Sequence, residues 1–304
     1  MAILREVRRR IRSVTNISHV TRAMQMVATS KMRRAQEQVL ATRLYAQKSW
    51  EVLIHLAAQR GAGEEVHPLL QIRPVETVGL VLITADRGLC GGYNHNVIRA
   101  AIDLMLKREQ PVKLVTVGRK GRDYMLRYGG EILAEFTGMP AQPTLLDVTP
   151  IARTVLDDFV NGTFDEVHLA YTDFINTLTQ RPVVRRLLPI RPVWAEDQAV
   201  SEYVGGPGPQ AVVEYIYEPD PQTILDTVLP RFTELQVYQA VLESIASEHS
   251  ARMVAMRNAT DNANQLIGEL TLTYNRARQE AITKEIVDIA GTAEALAKAK
   301  AMAR

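Results

Sequence analysis

The sequence predicts an α/β protein: long helices at the two chain ends pair as an antiparallel coiled coil, and a Rossmann-like open α/β domain lies between them. Three observations predict it. Residues 1–60 contain no proline or glycine and place apolar residues at steps of three and four. The middle of the chain alternates strand-like with helix-like stretches. The last eighty or so residues return to a helical pattern with few breakers.

In the N-terminal helix (1–60), Leu4, Val7, Ile11 and Val14, then Ile17, Val20, Met24 and Val27, mark a narrow apolar seam suited to a coiled coil. The extra three-residue step from Val14 to Ile17 reads as a stammer, which overwinds a coil locally. Arg5, Arg8, Arg9 and Arg12 lie off the seam. Sixty helical residues would span about 90 Å. GAGEEVHPLLQIRPV (61–75) breaks the pattern as a linker. The central domain, 76–203, begins with the apolar, β-branched ETVGLVLIT (76–84). NHNVIRAAIDLMLKR (94–108) follows with helical periodicity, and VKLVTVG (112–118) is a second strand. A helix near 147–162 and strands at 165–174 and 181–190 complete the domain. A loop and connector (204–218, with VGGPGPQ at 204–210) lead to the C-terminal helix (219–304). There Asp220 is a fitting N-cap and Pro221 a fitting first residue. Leu225, Val228, Phe232, Leu235, Tyr238 and Leu242 recur at helical spacing. Pro230 should bend the first turns; Gly268 and Gly291 weaken the helix without ending it. Because Arg60 and Asp220 both border the central domain, the end helices are expected to leave it antiparallel, as a rod on a globular foot.

Charge is uneven beneath a formal net charge of +2. Residues 1–60 hold 12 Lys/Arg against Glu6, Glu37 and Glu51, a net of +9, whereas residues 219–304 hold 9 Lys/Arg against 11 Asp/Glu, a net of −2. A basic first fifth points to an anionic partner, the plainer alternative being a solvated helix face. No apolar run approaches the roughly 18 residues of a membrane span. MAILREVRRRIRS has no apolar core of a secretory signal, and its helical pattern continues, so it reads as mature protein. The single cysteine, Cys90, excludes an intramolecular disulfide and suits a reducing compartment, so a soluble, cytoplasmic protein is expected.

No GxxxxGK[ST] loop is present to cradle nucleotide phosphates, and GRKG (118–121) lacks the third glycine of a dinucleotide fingerprint and reads as a turn. No cofactor is expected. TADRGLCGGYN (84–94) follows a strand. Cys90 could be a nucleophile with His95 as base, but no further histidine or carboxylate lies beside it. The plainer reading is a structural turn formed by Asp86, Arg87, Gly88, Cys90, Gly91 and Gly92, with a buried thiol and a local Asp86–Arg87 ion pair. The six histidines show no metal-ligand spacing. Met24, Met26, Met32, Met253 and Met256 read as pliable seam fillers. Residues 247–291 are rich in Asn, Gln and Thr; a helix polar on most sides usually bridges something larger than itself.

TRAMQMVATSKMRRAQ (21–36), ADRGLCGGYN, YIYEPDP (215–221), SEHSARMVAMRNATDNA and RQEAITKEI together closely resemble the gamma-subunit family of the F-type rotary ATP synthase, in the family's order and over essentially the whole chain. The resemblance implies a non-catalytic rotor shaft inserted into a hexamer of alpha and beta subunits. The foot would sit on a membrane c ring beside the epsilon subunit, at the cytoplasmic face of a bacterial plasma membrane. It implies that Arg8, Arg9, Arg22, Lys31, Arg33 and Arg34 face an acidic loop of beta, with Met24 a compliant contact. Arg252, Gln279, Thr283 and Glu285 match the family's upper contact with beta. Tyr215, Tyr217 and Glu218 match its contact with the c ring and epsilon. Where the family ends a signature with two small residues before alanine, this chain has Gly291-Thr292-Ala293, so Thr292 thickens the shaft slightly. The cysteine pair of light-regulated plastid subunits is missing. Two readings compete: a nucleic-acid-binding protein with a coiled-coil arm, for which the net-acidic second helix is a poor fit, and an enzyme centred on Cys90.

Overall fold

The computed structural model describes the backbone of residues 2–58, 67–191 and 220–302, and the side chains there except at 2–3, 43–47, 51–52, 54–58, 221 and 294–302. The expected loop at 204–210 and the stretch 61–66 of the expected linker lie outside the described residues. The chain divides into two compact units, Met1–Met26 with Ala255–Arg304, and Val27–Val254.

The second unit is built on a five-stranded sheet of order β3-β2-β1-β4-β5. Its strands are β1 (Val78–Ile83), β2 (Val112–Val117), β3 (Glu131–Phe136), β4 (Glu166–Phe174) and β5 (Gln180–Leu188). The first four are parallel, and β5 returns antiparallel on β4. Every β1 residue is buried, as expected for a central strand covered on both faces. On one face Leu80, Leu82, Leu114 and Ala170 meet Val97, Ile98 and Ala101 of α2 (Tyr93–Lys107) and Met125 of α3 (Arg119–Arg127). On the other, Val81, Ile83, Val115 and Leu169 share a core with α4 (Leu145–Val160) and with Trp50, Phe232 and Leu235 of the terminal helices. Those helices are α1 (Ala2–Ala58) and α5 (Pro221–Met302). Within this unit Trp50 stacks on Phe232, ring centroids 5.6 Å apart, and Thr42 hydrogen-bonds Gln239, so α1 and α5 run antiparallel.

Local chemistry explains the element ends. Thr144 and Asp147 form a capping box that starts α4. Asp220 accepts the Thr223 N–H at 2.9 Å, and α5 then continues through Pro230, Gly268 and Gly291. GRKG is not only a turn: it joins β2 to α3. Gly118, at φ 93°, carries the chain there, and a Cβ on it would lie 2.1 Å from the Thr84 carbonyl oxygen. Neither α3 nor β3 is expected from the sequence. The first buries only Gly121 and Met125; the second is an edge strand with alternate residues exposed, too polar to stand out.

At the opposite end of the sheet, Glu166 and His168 on β4 form a buried cluster with Arg108. His168 Nε2 lies 3.0 Å and Arg108 Nη2 3.2 Å from the Glu166 carboxylate. Burial by itself would raise the Glu166 pKa, but the His168 hydrogen bond and the charges of His168, Arg108 and Arg186 outweigh it and bring it to about 2. A carboxylate held below its unfolded value stabilises the fold above that unfolded value, and the contribution is lost as pH falls through the folded value. Replacing Glu166 by Gln should therefore cost on the order of 2 kcal/mol near pH 6. In denaturation of the full chain, the gap from wild type should close between about pH 4.5 and 2; a gap independent of pH would refute the assignment.

Candidate functional site

In the first unit α1 and α5 also pair antiparallel. Arg8 reaches Tyr274, its guanidinium 5.4 Å from the ring centroid; Ser18 Oγ donates to Asn264 Oδ1 at 2.8 Å; and the hydroxyls of Thr21 and Thr260 lie 2.7 Å apart. The seam differs from the expected one. Ser18 and Thr21 are buried at 9% exposure, whereas Ile17 and Val20 are 52% and 58% exposed. From Val14 the inward face thus passes to Ser18 and Thr21, which keeps the alternation of four and three, and the expected stammer does not occur. The apolar series misled because hydroxyls paired across the seam satisfy one another there. In the second unit the inward face of α1 carries Ala28, Met32, Ala35 and Val39, and Val27 is 55% exposed. Of the methionines expected in the seam, Met32 and Met256 are buried and Met24 and Met253 half-buried. Met26, 63% exposed, faces out.

The cationic positions of α1 are presented to solvent. Arg8, Arg9, Arg22, Lys31, Arg33 and Arg34 are all exposed, and of these Arg8 is engaged by Tyr274. On α5, Gln279, Thr283 and Glu285 belong to a run from Arg278 to Ala293 in which every side chain is exposed, including Ile282, Ile286, Val287 and Ile289 at 47–63%. A Cβ built on Gly291 meets nothing within 4 Å, and Thr292 Oγ1 turns back onto the Asp288 and Ile289 carbonyls at 2.9 and 2.8 Å. Tyr215, Tyr217 and Glu218 lie outside the described residues.

Arg252 is half-buried inside the second unit. Its Nη1 donates to Glu248 Oε1 at 2.6 Å and lies 3.3 Å from His249 Nδ1, while Nη2 donates to the Gly88 carbonyl at 3.2 Å. It therefore ties α5 to the loop after β1. Burial raises the Glu248 pKa, against the opposing charge of Arg252; burial, then Arg252 and Lys31, lower that of His249 to about 4.

In that loop Asp86 does not pair with Arg87 as expected. Its carboxylate accepts the N–H groups of Arg119 at 3.0 Å and Gly138 at 2.9 Å, and the Arg119 guanidinium lies 3.6 Å away, so it joins three loops; Arg87 is exposed. Gly88 is exposed and lends its carbonyl to Arg252; Leu89 at φ 61° and Gly91 at φ 58° make the bend, and Gly92 precedes α2. Cys90 is buried, its Sγ accepting from Asn94 Nδ2 at 3.2 Å, and burial raises its pKa. His95 is exposed. A thiol so shielded is a poor nucleophile.

The family model described as ATP synthase matches residues 3–296. An ATP synthase gamma chain from Dehalococcoides mccartyi (strain CBDB1) is 52% identical over 297 residues, covering 98% of this chain and 100% of that one. The chain belongs to the ATP synthase gamma chain family. Another gamma chain, from Roseiflexus castenholzii, is 48% identical over 302 residues, with coverage of 98% and 100%. Among solved structures, a chain of the Euglena gracilis mitochondrial ATP synthase (OSCP/F1/c-ring, rotational state 3) shares the fold at a TM-score of 0.67 and 20% identity, over 98% of this chain and 96% of that one. A central stalk/c-ring chain from Tetrahymena thermophila gives a TM-score of 0.58 at 25% identity, over 79% and 99%. As a gamma chain, the protein is the central rotor shaft of the F-type ATP synthase and a non-catalytic subunit; the nucleic-acid and Cys90-enzyme readings give way.

The hydroxyl and amide partners inside the gamma chain, Ser18, Thr21, Thr260 and Asn264, escape sequence reasoning. The signal available for them was the unbroken three–four spacing after Val14. Two outcomes check the loop. Arg252→Ala leaves the half-buried Glu248 without its cation and Gly88 without its donor, and should destabilise the chain by about 3 kcal/mol in chemical denaturation. Cys90 should resist alkylation in the native chain and react once it is unfolded; rapid native labelling would contradict its burial.

Proposed function

We propose that the exposed α5 run Arg278–Ala293 turns inside an apolar collar formed by the alpha and beta subunits, while the cationic face of α1 meets an acidic loop of beta. The α5 run carries the reading. A helix whose side chains are all in solvent gains little from tertiary packing, and a short exposed helix is marginal in water. Ile282, Ile286, Val287 and Ile289 are suited to an apolar enclosure. Arg9, Arg22, Lys31, Arg33 and Arg34 supply exchangeable charge: partly exposed ion pairs are worth about a kcal/mol or less each, so none would lock a rotor in place. Arg8, Met24, Gln279, Thr283 and Glu285 join this surface in the proposal; Arg252 would reach beta only by leaving Glu248 and Gly88.

The neighbouring solved assemblies are described as OSCP/F1/c-ring and central stalk/c-ring. By analogy, Tyr215, Tyr217 and Glu218 would meet the c ring and epsilon. Among the described residues no helix is long and apolar enough to cross a membrane. Membrane association would then run through the complex, at the cytoplasmic face in a bacterium, with protons as the transported ion. A lopsided shaft presents a different face to each beta subunit as it turns. Moving a two-state site from 1:99 to 99:1 requires about 5.5 kcal/mol of differential interaction, a sum that many small contacts along the rotor can supply.

Detergent-extracted membranes should yield this chain at one copy per three alpha–beta pairs. Inserting two glycines after Met256 should leave ATP hydrolysis running while proton pumping per ATP collapses. Unchanged coupling would overturn the shaft mechanism.

A further inference from the structure

Between Ser244 and Arg252, α5 grips the sheet through polar side chains that bind backbone atoms. Ser244, Ser247 and Ser250 are at most 1% exposed. Ser244 Oγ accepts the Thr172 N–H at 3.3 Å, and Ser247 Oγ donates to the Thr172 carbonyl at 3.1 Å, so one β4 residue is held at both its backbone groups. Ser250 Oγ donates to the Thr177 carbonyl at 2.6 Å, in the turn between β4 and β5. That turn is fastened further by Gln180 Nε2, 2.9 Å from the Thr177 carbonyl and 3.3 Å from Ser250 Oγ. Arg252 adds the Gly88 carbonyl on the opposite side.

The angular spread of these bonds gives them a mechanical meaning. At about 100° of rotation per residue, Ser244, Ser247, Ser250 and Arg252 cover roughly 200° of the helix circumference. The close packing around this segment resists rotation of the helix about its own axis, and hydrogen bonds add anchors of fixed direction to it. Directional bonds to fixed backbone atoms, spread over more than half the circumference, resist it in both senses. Serine also keeps the helix close to the strand, shortening any lever through which the joint could flex.

We infer that the Ser244–Ser247–Ser250 ladder, completed on its other side by Arg252, is the torque-bearing joint between the α/β body and α5, and that these serines position α5 for coupling. The inference rests on the rotor reading. Its test uses the assembled complex, immobilised through the catalytic hexamer, with a probe on Leu126→Cys, an exposed α3 position; the buried Cys90 stays unlabelled. In Ser244→Ala/Ser247→Ala/Ser250→Ala, thermal fluctuation of the probe angle should widen about two-fold. Amide exchange at Thr172 in the complex should speed up by about five-fold per bond lost. ATP hydrolysis without load should continue, while proton pumping per ATP falls. If the triple variant does not assemble, Ser247→Ala alone should show the same changes at smaller size. Fluctuation and pumping equal to wild type, in a complex that rotates, overturn the joint. A wild-type complex whose probe does not rotate overturns the rotor reading itself.

Discussion

The terminal helices are held by hydroxyl and amide side chains placed where a leucine seam would be expected. In the first unit Ser18 meets Asn264 and Thr21 meets Thr260; in the second Thr42 meets Gln239, and three serines of α5 meet the backbone of β4 and its turn. Small polar residues let helix backbones approach closely, and a paired hydroxyl fixes the register, because sliding by one turn would part Ser18 from Asn264 and strand the buried hydroxyls of Thr21 and Thr260.

This choice of contacts leaves large apolar residues outside. Ile17, Val20 and Met26 on α1 of the first unit are exposed while Ser18 and Thr21 turn inward, and on α5 Ile282 to Ile289 lie in a run where every side chain is exposed. Stability comes from elsewhere. In the second unit the two faces of the sheet are dry and continuous, with Phe159, Phe164, Val167 and Leu169 fully buried and Phe164 lying so close to Gly79 that a Cβ there would come within 2.9 Å of its ring. The well-packed sheet and the solvent-facing helical stretches answer different demands: one keeps a fixed shape, the other offers contacts that can be exchanged.

Charge is used in two ways as well. Arg9, Arg22, Lys31, Arg33 and Arg34 of α1 are exposed, where each is screened and replaceable. Glu166 and His168 are buried with Arg108 beside them, Glu248 and Arg252 are half-buried, and both groups are bonded at 2.6–3.2 Å. Removing one member of such a pair strands the other, and the long-range ties are Arg108 to Glu166 and Arg252 to the Gly88 carbonyl. Asp86 does the same with backbone donors, joining the loop after β1 to α3 and to Gly138.

Much of this was legible in the residues alone. The absence of breakers before Gly61, the Asp220–Pro221 start of α5 and the β-branched runs at 78–83 and 112–117 are local signals, because caps, propensity and periodicity act within a few residues. The motifs at 21–36, 85–94, 215–221, 247–263 and 278–286 carried the family. What remained was decided by packing. Whether Ile17 or Ser18 faces α5 depends on the partner across the seam. Whether Asp86 pairs with Arg87 or with Arg119 depends on where α3 begins. Whether Arg252 stays free or closes on Glu248 and Gly88 depends on the sheet bringing residue 88 beside residue 252. Sequence spacing reports which side chains share a face; only the folded chain sets what that face meets, since partners 33 to 246 residues apart are chosen by tertiary contact rather than by local conformation.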